Sequence, residues 1–497
     1  ASSGMAMAHW EIQGWMILIL GWVFVPFYTR SMVYTMPEFL ERRYNPQSRT
    51  ILSVISLVSY VLTKVAVTVY AGGLVFQQVF GIKELWGIDF FWIAAIGLVV
   101  LTALYTIFGG MKSVLYTSVL QTPILLLGSL IILVLGFKEL GGWDEMMRVC
   151  GAVTVNDYGD TMTNLIRSND DANFPWLGAL IGSAIIGFWY WCTDQFIVQR
   201  VLSGKNEMEA RRGTIFGAYL KLLPVFLFLI PGMIAFALHQ KYIGAGGEGF
   251  LPMLANGTAN ADAAFPTLVA KLLPAGVKGL VVCGILAALM SSLASLFNSS
   301  AMLFTIDFYK RFRPETPEKK LVGIGQVATV VIVILGILWI PIMRSVGDVL
   351  YTYLQDVQSV LAPGIAAAFL LGICWKRTSA QGGMWGLIAG MVIGLTRLGA
   401  KVYYSNAGEV ADSTFKYLFY DMNWLFFCGW MFLFCIIVVI VVSLATKAPT
   451  AEKIQGLVFG TATKEQKAAT RASWNHWDII HTVIILAITG AFYWYFW

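Results

Sequence analysis

A run of small hydroxyl side chains interrupts one of the most apolar stretches of this sequence. The segment MSSLASLFNSS, residues 290–300, follows GLVVCGILAAL and precedes AMLF. In a helix, spacings of three and four place on one face Ala288, Ser291, Ser292, Ser295 and Ser299. This face can pack against another helix, with its hydroxyls bonded to their own i−4 carbonyls. Alternatively, Ser291, Ser292 and a main-chain carbonyl offer neutral oxygens to Na⁺, and spacing alone leaves both interpretations open.

Charged side chains inside apolar stretches form a second group of candidates, because ionisable groups in membrane segments mark functional sites by default. This group comprises Glu11, Lys64, Asp194 and Lys221. Lys221 lies well inside the apolar stretch 213–238, too deep to reach an interface without strain. We therefore expect its ammonium group to pair with a carboxylate or with a ligand hydroxyl, and Glu11 to behave similarly.

The segment GFWYWCTDQFIVQR, residues 187–200, places aromatic rings beside polar groups. Aromatic residues of this kind anchor proteins at a membrane interface. They equally suit a sugar site, since aromatic faces stack on the C–H faces of a pyranose while carboxylate, amide and ammonium groups bond its hydroxyls. In that interpretation the contributing residues are Tyr190, Trp191, Asp194 and Gln195, joined by Gln355 and Asp356 if their segment folds inward.

Membrane-spanning helices must position these residues. Of 497 residues, 58% are hydrophobic and 12% are charged, against about 25% charged in soluble domains. Apolar stretches of about 20 residues predict twelve spans, at 12–28, 51–81, 89–109, 114–136, 176–198, 213–238, 275–303, 321–343, 357–374, 383–400, 422–445 and 477–497. The loops after odd-numbered spans carry more Lys and Arg, so the positive-inside rule places them in the cytoplasm.

The chain is expected to divide into three parts. Residues 1–445 form a transporter core, 446–476 a cytoplasmic linker, and 477–497 an extra C-terminal transmembrane helix outside the functional core. The first residues, ASSGMAMA, are mostly small and resemble the end of a tightly packed helix. We therefore expect the core to lack the start of its first helix.

Several functional classes are excluded by what the sequence does not contain. There is no P-loop, HExxH or GxSxG motif, so translocation is predicted rather than an enzyme reaction. The net charge of +6 comes from basic residues scattered over short loops, which predicts no nucleic-acid partner. The six cysteines form no CxxC pair or disulfide framework. External loops poor in cysteine favour a bacterial inner membrane over an animal plasma membrane.

Six segments together resemble the sodium/glucose cotransporter branch of the sodium/solute symporter family. They are YTMPEFLERRY, ALYTIFGG, FWYWCTDQFIVQRVLSGKN, YLKLLPVFLFLIPGMI, LMSSLASLFNSSAMLFTIDFY and GICWKRTSAQGGMWGLIAG. The resemblance extends from residue 1 to about residue 445. It implies an all-α polytopic membrane protein with an inverted five-plus-five helix repeat (LeuT-like), N-terminally incomplete in this sequence, that binds substrate and Na⁺ near the membrane midplane.

The resemblance also implies roles for individual residues. Its substrate-binding set is Glu11, Lys221 and Gln355 as partners of sugar hydroxyls, Tyr190 as the aromatic inner gate and Trp191 as a neighbouring contact. Its metal-binding set for Na⁺ is Ser291, Ser292 and the carbonyl group of Ala288. In both sets, the half-helix expected before residue 1 would contribute the remaining ligands.

Three positions depart from the family pattern. Relatives that couple two sodium ions carry aspartate in a YTDxLQ motif and a hydroxyl two residues after the serine pair. Here the motif reads YTSVLQ with Ser118, and the later position is Ala294, so one Na⁺ per sugar is predicted. Gly187 stands where relatives carry a polar side chain that reaches the sugar, which leaves the choice of hexose open.

The resulting prediction is a sodium-driven secondary active symporter that imports a hexose such as glucose or galactose by alternating access. A symporter for myo-inositol or another polyol and a sodium-dependent sugar sensor remain as alternatives. The predicted partners are a small sugar, Na⁺ and the lipid bilayer, and the expected oligomeric state is a monomer or a weak dimer.

Overall fold

The computed structural model describes residues 3–254, 257–346, 350–407 and 411–497, without the side chains at 105, 107–114, 117, 343–346 and 352. The helices are α1 (Gly4–Ser31), α2 (Met36–Arg43), α3 (Pro46–Phe80), α4 (Phe90–Leu140), α5 (Trp143–Gly151), α6 (Trp176–Thr193), α7 (Gln195–Leu202), α8 (Glu207–Gly244), α9 (Ala264–Leu272), α10 (Ala275–Phe312), α11 (Glu318–Val346), α12 (Leu350–Cys374), α13 (Ala380–Asn406), α14 (Thr414–Lys416), α15 (Trp424–Ala445), α16 (Ala451–Ile454), α17 (Lys464–Ala472) and α18 (His476–Tyr495). A short antiparallel ribbon, β1 (Glu84–Leu85) and β2 (Ile88–Asp89), precedes α4.

The described residues contain eleven helices long and apolar enough to cross a membrane, judged by length and composition. A shorter apolar segment, Phe90–Leu104, lies at the start of α4 and corresponds to the predicted span 89–109. The predicted all-α polytopic architecture is therefore confirmed.

Helix α4 has 51 residues, which would make a straight helix of about 77 Å, more than twice the ~30 Å of a bilayer core. Its two halves run along α10 in opposite directions. Leu98 and Leu289 both lie against Gly72, Ser118 bonds Ser291, and Gly128 lies against Val281. The chain therefore reverses between Leu98 and Ser118, which agrees with two predicted spans, 89–109 and 114–136.

Short π-helical turns interrupt several spans in the described part of the chain. They are Leu20–Phe24, Tyr60–Val65, Phe188–Thr193, Val225–Leu229 and Leu303–Tyr309. Turns of this kind often occur at functional sites, because the extra residue shifts side chains out of the regular helical register. The turn at the end of α6 carries Tyr190 and Trp191. Asp194 follows in an extended conformation and caps α7 through the N–H of Phe196.

The final helix, α18, packs against α1 and α8. Trp22 of α1 donates a hydrogen bond to Thr482 Oγ1 at 2.9 Å, and Arg212 of α8 pairs with Asp478 at 3.2 Å. These contacts join the span to the helices that carry Glu11 and Lys221. That the span 477–497 lies outside the functional core stays a prediction.

Candidate functional site

All five predicted substrate-binding residues line one internal cavity of about 210 Å³. They come from α1, α6, α8 and α12, and they are Glu11, Tyr190, Trp191, Lys221 and Gln355. Gly187, where the sequence departs from the family pattern, also lines this polar cavity. Further walls are formed by residues that were not predicted from the sequence, among them Trp10, Gln13, Tyr351 and Gln358. The volume is far above the ~15 Å³ that one water molecule requires, so the polar cavity can hold a small molecule.

An ion pair forms the charged wall of the polar cavity. Lys221 Nζ lies 2.8 Å from Glu11 Oε2, and Tyr351 donates its hydroxyl to Glu11 Oε1 at 2.9 Å. Both charged side chains keep part of their surface accessible, 16% for Lys221 and 22% for Glu11. The pair can therefore neutralise itself in the membrane and still offer charge-assisted hydrogen bonds to a hydroxylated ligand.

The aromatic wall consists of two consecutive rings on the π turn of α6. The centroids of Tyr190 and Trp191 are 5.1 Å apart with the ring planes at 83°, and both side chains are half-buried. Lys221 Nζ lies 5.5 Å from the Trp191 ring centroid. The edge-to-face arrangement leaves ring surface on which the C–H face of a sugar can stack.

The amide wall comes from α12. Gln355 is 7% exposed, and its buried Oε1 has no hydrogen-bond partner among the described residues. An unpaired buried acceptor is costly, so this atom is suited to accept a hydrogen bond from a ligand. Tyr351 and Gln358 lie four residues before and three residues after Gln355, and this helical spacing was the sequence signal that could have identified them.

Three polar residues considered for a sugar site do not line the polar cavity. Asp194 accepts a hydrogen bond from Tyr60 at 2.9 Å and forms an ion pair with Lys64. Gln195 bonds the main chain at Met36 through Oε1 at 2.8 Å. Asp356 pairs with Lys401. Their interpretation as cavity residues is wrong, because their polar groups bond to partners on other helices. Spacing within the sequence cannot reveal such partners.

The predicted metal-binding residues lie on the serine face of α10, defined as Ala288, Ser291, Ser292, Ser295 and Ser299. Ser295 and Ser299 donate to the i−4 carbonyls of Ser291 and Ser295 at 2.9 and 2.8 Å, as the packing interpretation expects. Ala288, Ser291 and Ser292 are half-buried. Two residues of α7 contact the same face, since Gln199 donates to Ser299 Oγ at 2.6 Å and Arg200 bonds Ser295.

Ser118 brings α4 to the serine face. Its hydroxyl lies 2.6 Å from the hydroxyl of Ser291. This is the position at which relatives coupling two sodium ions carry aspartate, so the departure found in the sequence lies next to the predicted sodium ligands. A neutral hydroxyl there adds an oxygen but no charge to the group.

At least four larger concavities lie elsewhere among the described residues. One, of about 810 Å³, is an apolar groove between α3 and α11, and another, of about 650 Å³, lies near the end of α8. A third, of about 440 Å³, lies between the end of α10 and the start of α11. The fourth, of about 420 Å³, combines Tyr219 and Trp477 with Arg212 and Asp478, but it lies toward the N-terminal ends of α8 and α18. None of the four combines aromatic rings with several convergent polar groups at mid-span, so the smaller polar cavity is the better candidate for a sugar.

A family model described as "Sodium:solute symporter family" matches residues 1–390. The chain belongs to this family. The predicted family is therefore confirmed, the protein is a transporter rather than an enzyme, and Na⁺ is its coupling ion. As a member of this family it is an integral multi-pass membrane protein.

Curated relatives show which members of the family this chain resembles. The chain is 36% identical over 504 residues to the sodium/mannose cotransporter SLC5A10 of Bos taurus, covering 97% of this chain and 83% of the relative. It is 35% identical over 474 residues to the sodium/myo-inositol cotransporter 2 of Homo sapiens, covering 93% and 69%. It is 37% identical over 465 residues to the sodium/glucose cotransporter 1 of Ovis aries, covering 90% and 69%. These animal relatives lend no support to the expected bacterial inner membrane.

A solved structure shows the same fold. It is described as a substrate-bound outward-open state of a Na⁺-coupled sialic acid symporter, with a TM-score of 0.67 and 21% identity over 89% of this chain and 84% of that chain. The predicted inverted-repeat transporter fold is confirmed by this likeness.

Proposed function

We propose that this protein is a sodium-driven symporter that imports a hexose such as glucose or galactose, with one Na⁺ per sugar, by alternating access. The observation that carries the proposal is the polar cavity, where an ion pair, two aromatic rings and an unpaired amide oxygen converge. Such a set suits a small neutral ligand rich in hydroxyl groups. A sodium ion at Ala288, Ser291 and Ser292 would favour the conformation that binds the sugar, as coupling requires.

A cyclic polyol such as myo-inositol is the second candidate. It is favoured by the 35% identity to a sodium/myo-inositol cotransporter, which is similar to the identity to a glucose cotransporter. Both ligands present a ring of hydroxyl groups, so the polar cavity offers the same donors and acceptors to either. Competition between labelled glucose and unlabelled myo-inositol, galactose and mannose ranks the candidates directly.

The decisive experiment is uptake of labelled sugar into proteoliposomes under an inward Na⁺ gradient, with K⁺ in place of Na⁺ as control. We expect accumulation above equilibrium that requires Na⁺ and that falls in Ser292→Ala. Sodium-dependent sugar binding without accumulation would instead identify a sensor and reject the symport proposal.

The same vesicles test the stoichiometry. One Na⁺ falling through 100 mV releases about 2.3 kcal/mol, and a tenfold gradient adds about 1.4 kcal/mol. Together they allow roughly 500-fold accumulation at most. A Hill coefficient near one for Na⁺ is expected as well. A steady-state sugar ratio well above this limit under measured gradients would reject one Na⁺ per sugar.

A further inference from the structure

Gly187 contributes a wall of the polar cavity without a side chain. A Cβ atom at residue 187 would lie 2.6 Å from Oε1 and 3.0 Å from Cδ of Gln13, much closer than atoms of this kind approach. Gln13 is 2% exposed and lines the same cavity. The amide group of Gln13 therefore occupies the place that a side chain at 187 would need.

The orientation of this amide follows from its second contact. Gln13 Nε2 donates to the carbonyl oxygen of Ser183 at 2.9 Å. A carbonyl oxygen can only accept a hydrogen bond, so the NH₂ group must face Ser183 and Oε1 must face Gly187 at the cavity wall. Gln13 lies in the turn between two helical segments of α1, two residues after Glu11.

We propose that Gln13 Oε1 accepts a hydrogen bond from one ligand hydroxyl and that Gln13 and Gly187 together determine which epimer the polar cavity selects. The proposal rests on the proposed function, because it assumes a pyranose or cyclic polyol in the cavity. Epimers differ in the direction of a single hydroxyl group. A buried acceptor that meets that hydroxyl discriminates against the epimer that leaves it unpaired.

Two substitutions on different helices test the same interaction. Gln13→Ala removes the acceptor. Gly187→Ala keeps Gln13 but displaces the far end of its flexible side chain, and it suits the backbone, since residue 187 has helical angles of φ −62° and ψ −40°. If both act through the same amide, the double variant should show no further loss, in contrast to two independent sites.

The measurement is sodium-dependent binding of an epimer and deoxy-sugar series to this protein in proteoliposomes. At one carbon of the ring, we expect the parent to bind one epimer about three- to tenfold more tightly than the other, because one hydrogen bond contributes a ratio of this size. In Gln13→Ala, Gly187→Ala and the double variant that ratio should fall to about one, with the ratios at other carbons unchanged. Gly187→Ser in the Gln13→Ala background returns a hydroxyl to the same place and should restore part of the ratio.

Gly429→Ala is the matched control, because its added Cβ would meet Ile181 at 3.4 Å, an ordinary contact away from the polar cavity. Its ratios should equal those of the parent. Unchanged ratios in Gln13→Ala and Gly187→Ala, or an equal loss of affinity for every sugar, would overturn the selectivity proposal while leaving sugar transport intact. A parent that binds none of the series would reject both proposals.

Discussion

The polar cavity draws its side chains from four helices, whereas the sodium ligands predicted within this sequence, Ala288, Ser291 and Ser292, lie on α10 alone. In the cavity, Glu11 and Lys221 are 210 residues apart in sequence and 2.8 Å apart in space. Ser291 and Ser292 are adjacent and remain neighbours in any arrangement of the helices. Relative motion of the helices can therefore dismantle the polar cavity directly, whereas it reaches the serine pair through contacts with other helices, such as that of Ser118 in α4.

This difference suggests how one gradient could drive a second solute. A cavity assembled from separate helices has an affinity that depends on conformation, and an ion that bridges α10 to a neighbouring helix favours one of the conformations. If this account holds, substitutions in the polar cavity should change sugar affinity, and substitutions on the serine face should change sodium affinity.

Breaking the ion pair of the polar cavity should have the largest effect. Lys221→Gln leaves Glu11 a carboxylate with Tyr351 as its remaining described partner. A hydrogen bond to a charged group is worth up to about 3 kcal/mol, so loss of the Lys221 ammonium should lower sugar affinity by up to about 100-fold in equilibrium binding at saturating Na⁺.

The double variant Glu11→Gln with Lys221→Gln separates folding from binding. It should recover thermal stability relative to the single variant, because no buried charge is left alone, but it should not recover sugar affinity. Lys416→Gln, which breaks a surface pair with Asp412, is the control and should bind like the parent. If Lys221→Gln bound sugar as tightly as the parent, this would contradict the proposal that the ion pair of Glu11 and Lys221 binds the sugar.

Removing one serine hydroxyl should lower the affinity for Na⁺ more than the affinity for sugar. Ser292→Ala should lower the apparent Na⁺ affinity about tenfold, since an interaction with a charged group is worth about 1.5 kcal/mol. Sodium titration of sugar uptake measures the shift, and sugar affinity at saturating Na⁺ should stay near the parental value. Thr396→Ala, an exposed hydroxyl bonded to its own helix, is the control. An unchanged sodium titration would remove Ser292 from the ion site.

The hydrogen bond between Tyr351 and Glu11 should have a smaller effect. Tyr351→Phe keeps the ring but removes the donor to Glu11 Oε1. We expect about a fivefold loss of sugar affinity, the worth of about 1 kcal/mol, with the sodium titration unchanged. If Tyr351→Phe lowered sodium affinity by the same factor, sugar and sodium affinities would not respond to different substitutions, which would contradict the comparison.

A similarly small effect, on stability rather than on ligand affinity, concerns a carboxylate outside the spans that bonds the first described residue of α12. Asp262 accepts the N–H of Leu350 at 3.1 and 3.2 Å, and burial raises the pKa of Asp262 from 3.8 to about 6. The folded protein thus holds this proton more tightly than the unfolded chain, and the associated stability is lost as the pH rises from about 4 through about 6.

Melting temperature against pH in detergent measures this contribution. We expect the free energy of unfolding to fall by about 1 kcal/mol between pH about 4 and about 6, a modest change because the carboxyl group remains partly solvated. Asp262→Asn should flatten that part of the profile relative to the parent. Identical profiles for the two proteins would show that Asp262 does not titrate in this range.

Much of the fold could be predicted from the sequence because the signals are local. Hydropathy located the spans, and helical spacing grouped the serines of α10. The five substrate-binding candidates were selected by a family resemblance and by charge inside apolar stretches. Local patterns could not show whether these five residues lie together. Asp194 carried the same signal as Glu11, a charge inside an apolar stretch, yet it lies outside the cavity.

The sequence by itself determined the transmembrane character, the span positions and the hydroxyl face of α10, because each depends on composition or spacing within one segment. It also determined the family, through six motifs spread along the chain. Only the tertiary structure decided that α4 folds back along α10, that Lys221 pairs with Glu11 while Lys64 pairs with Asp194, and that Gln13 occupies the space beside Gly187. These outcomes depend on which helices pack together, and a buried charge or amide takes the partner that packing brings within hydrogen-bond distance.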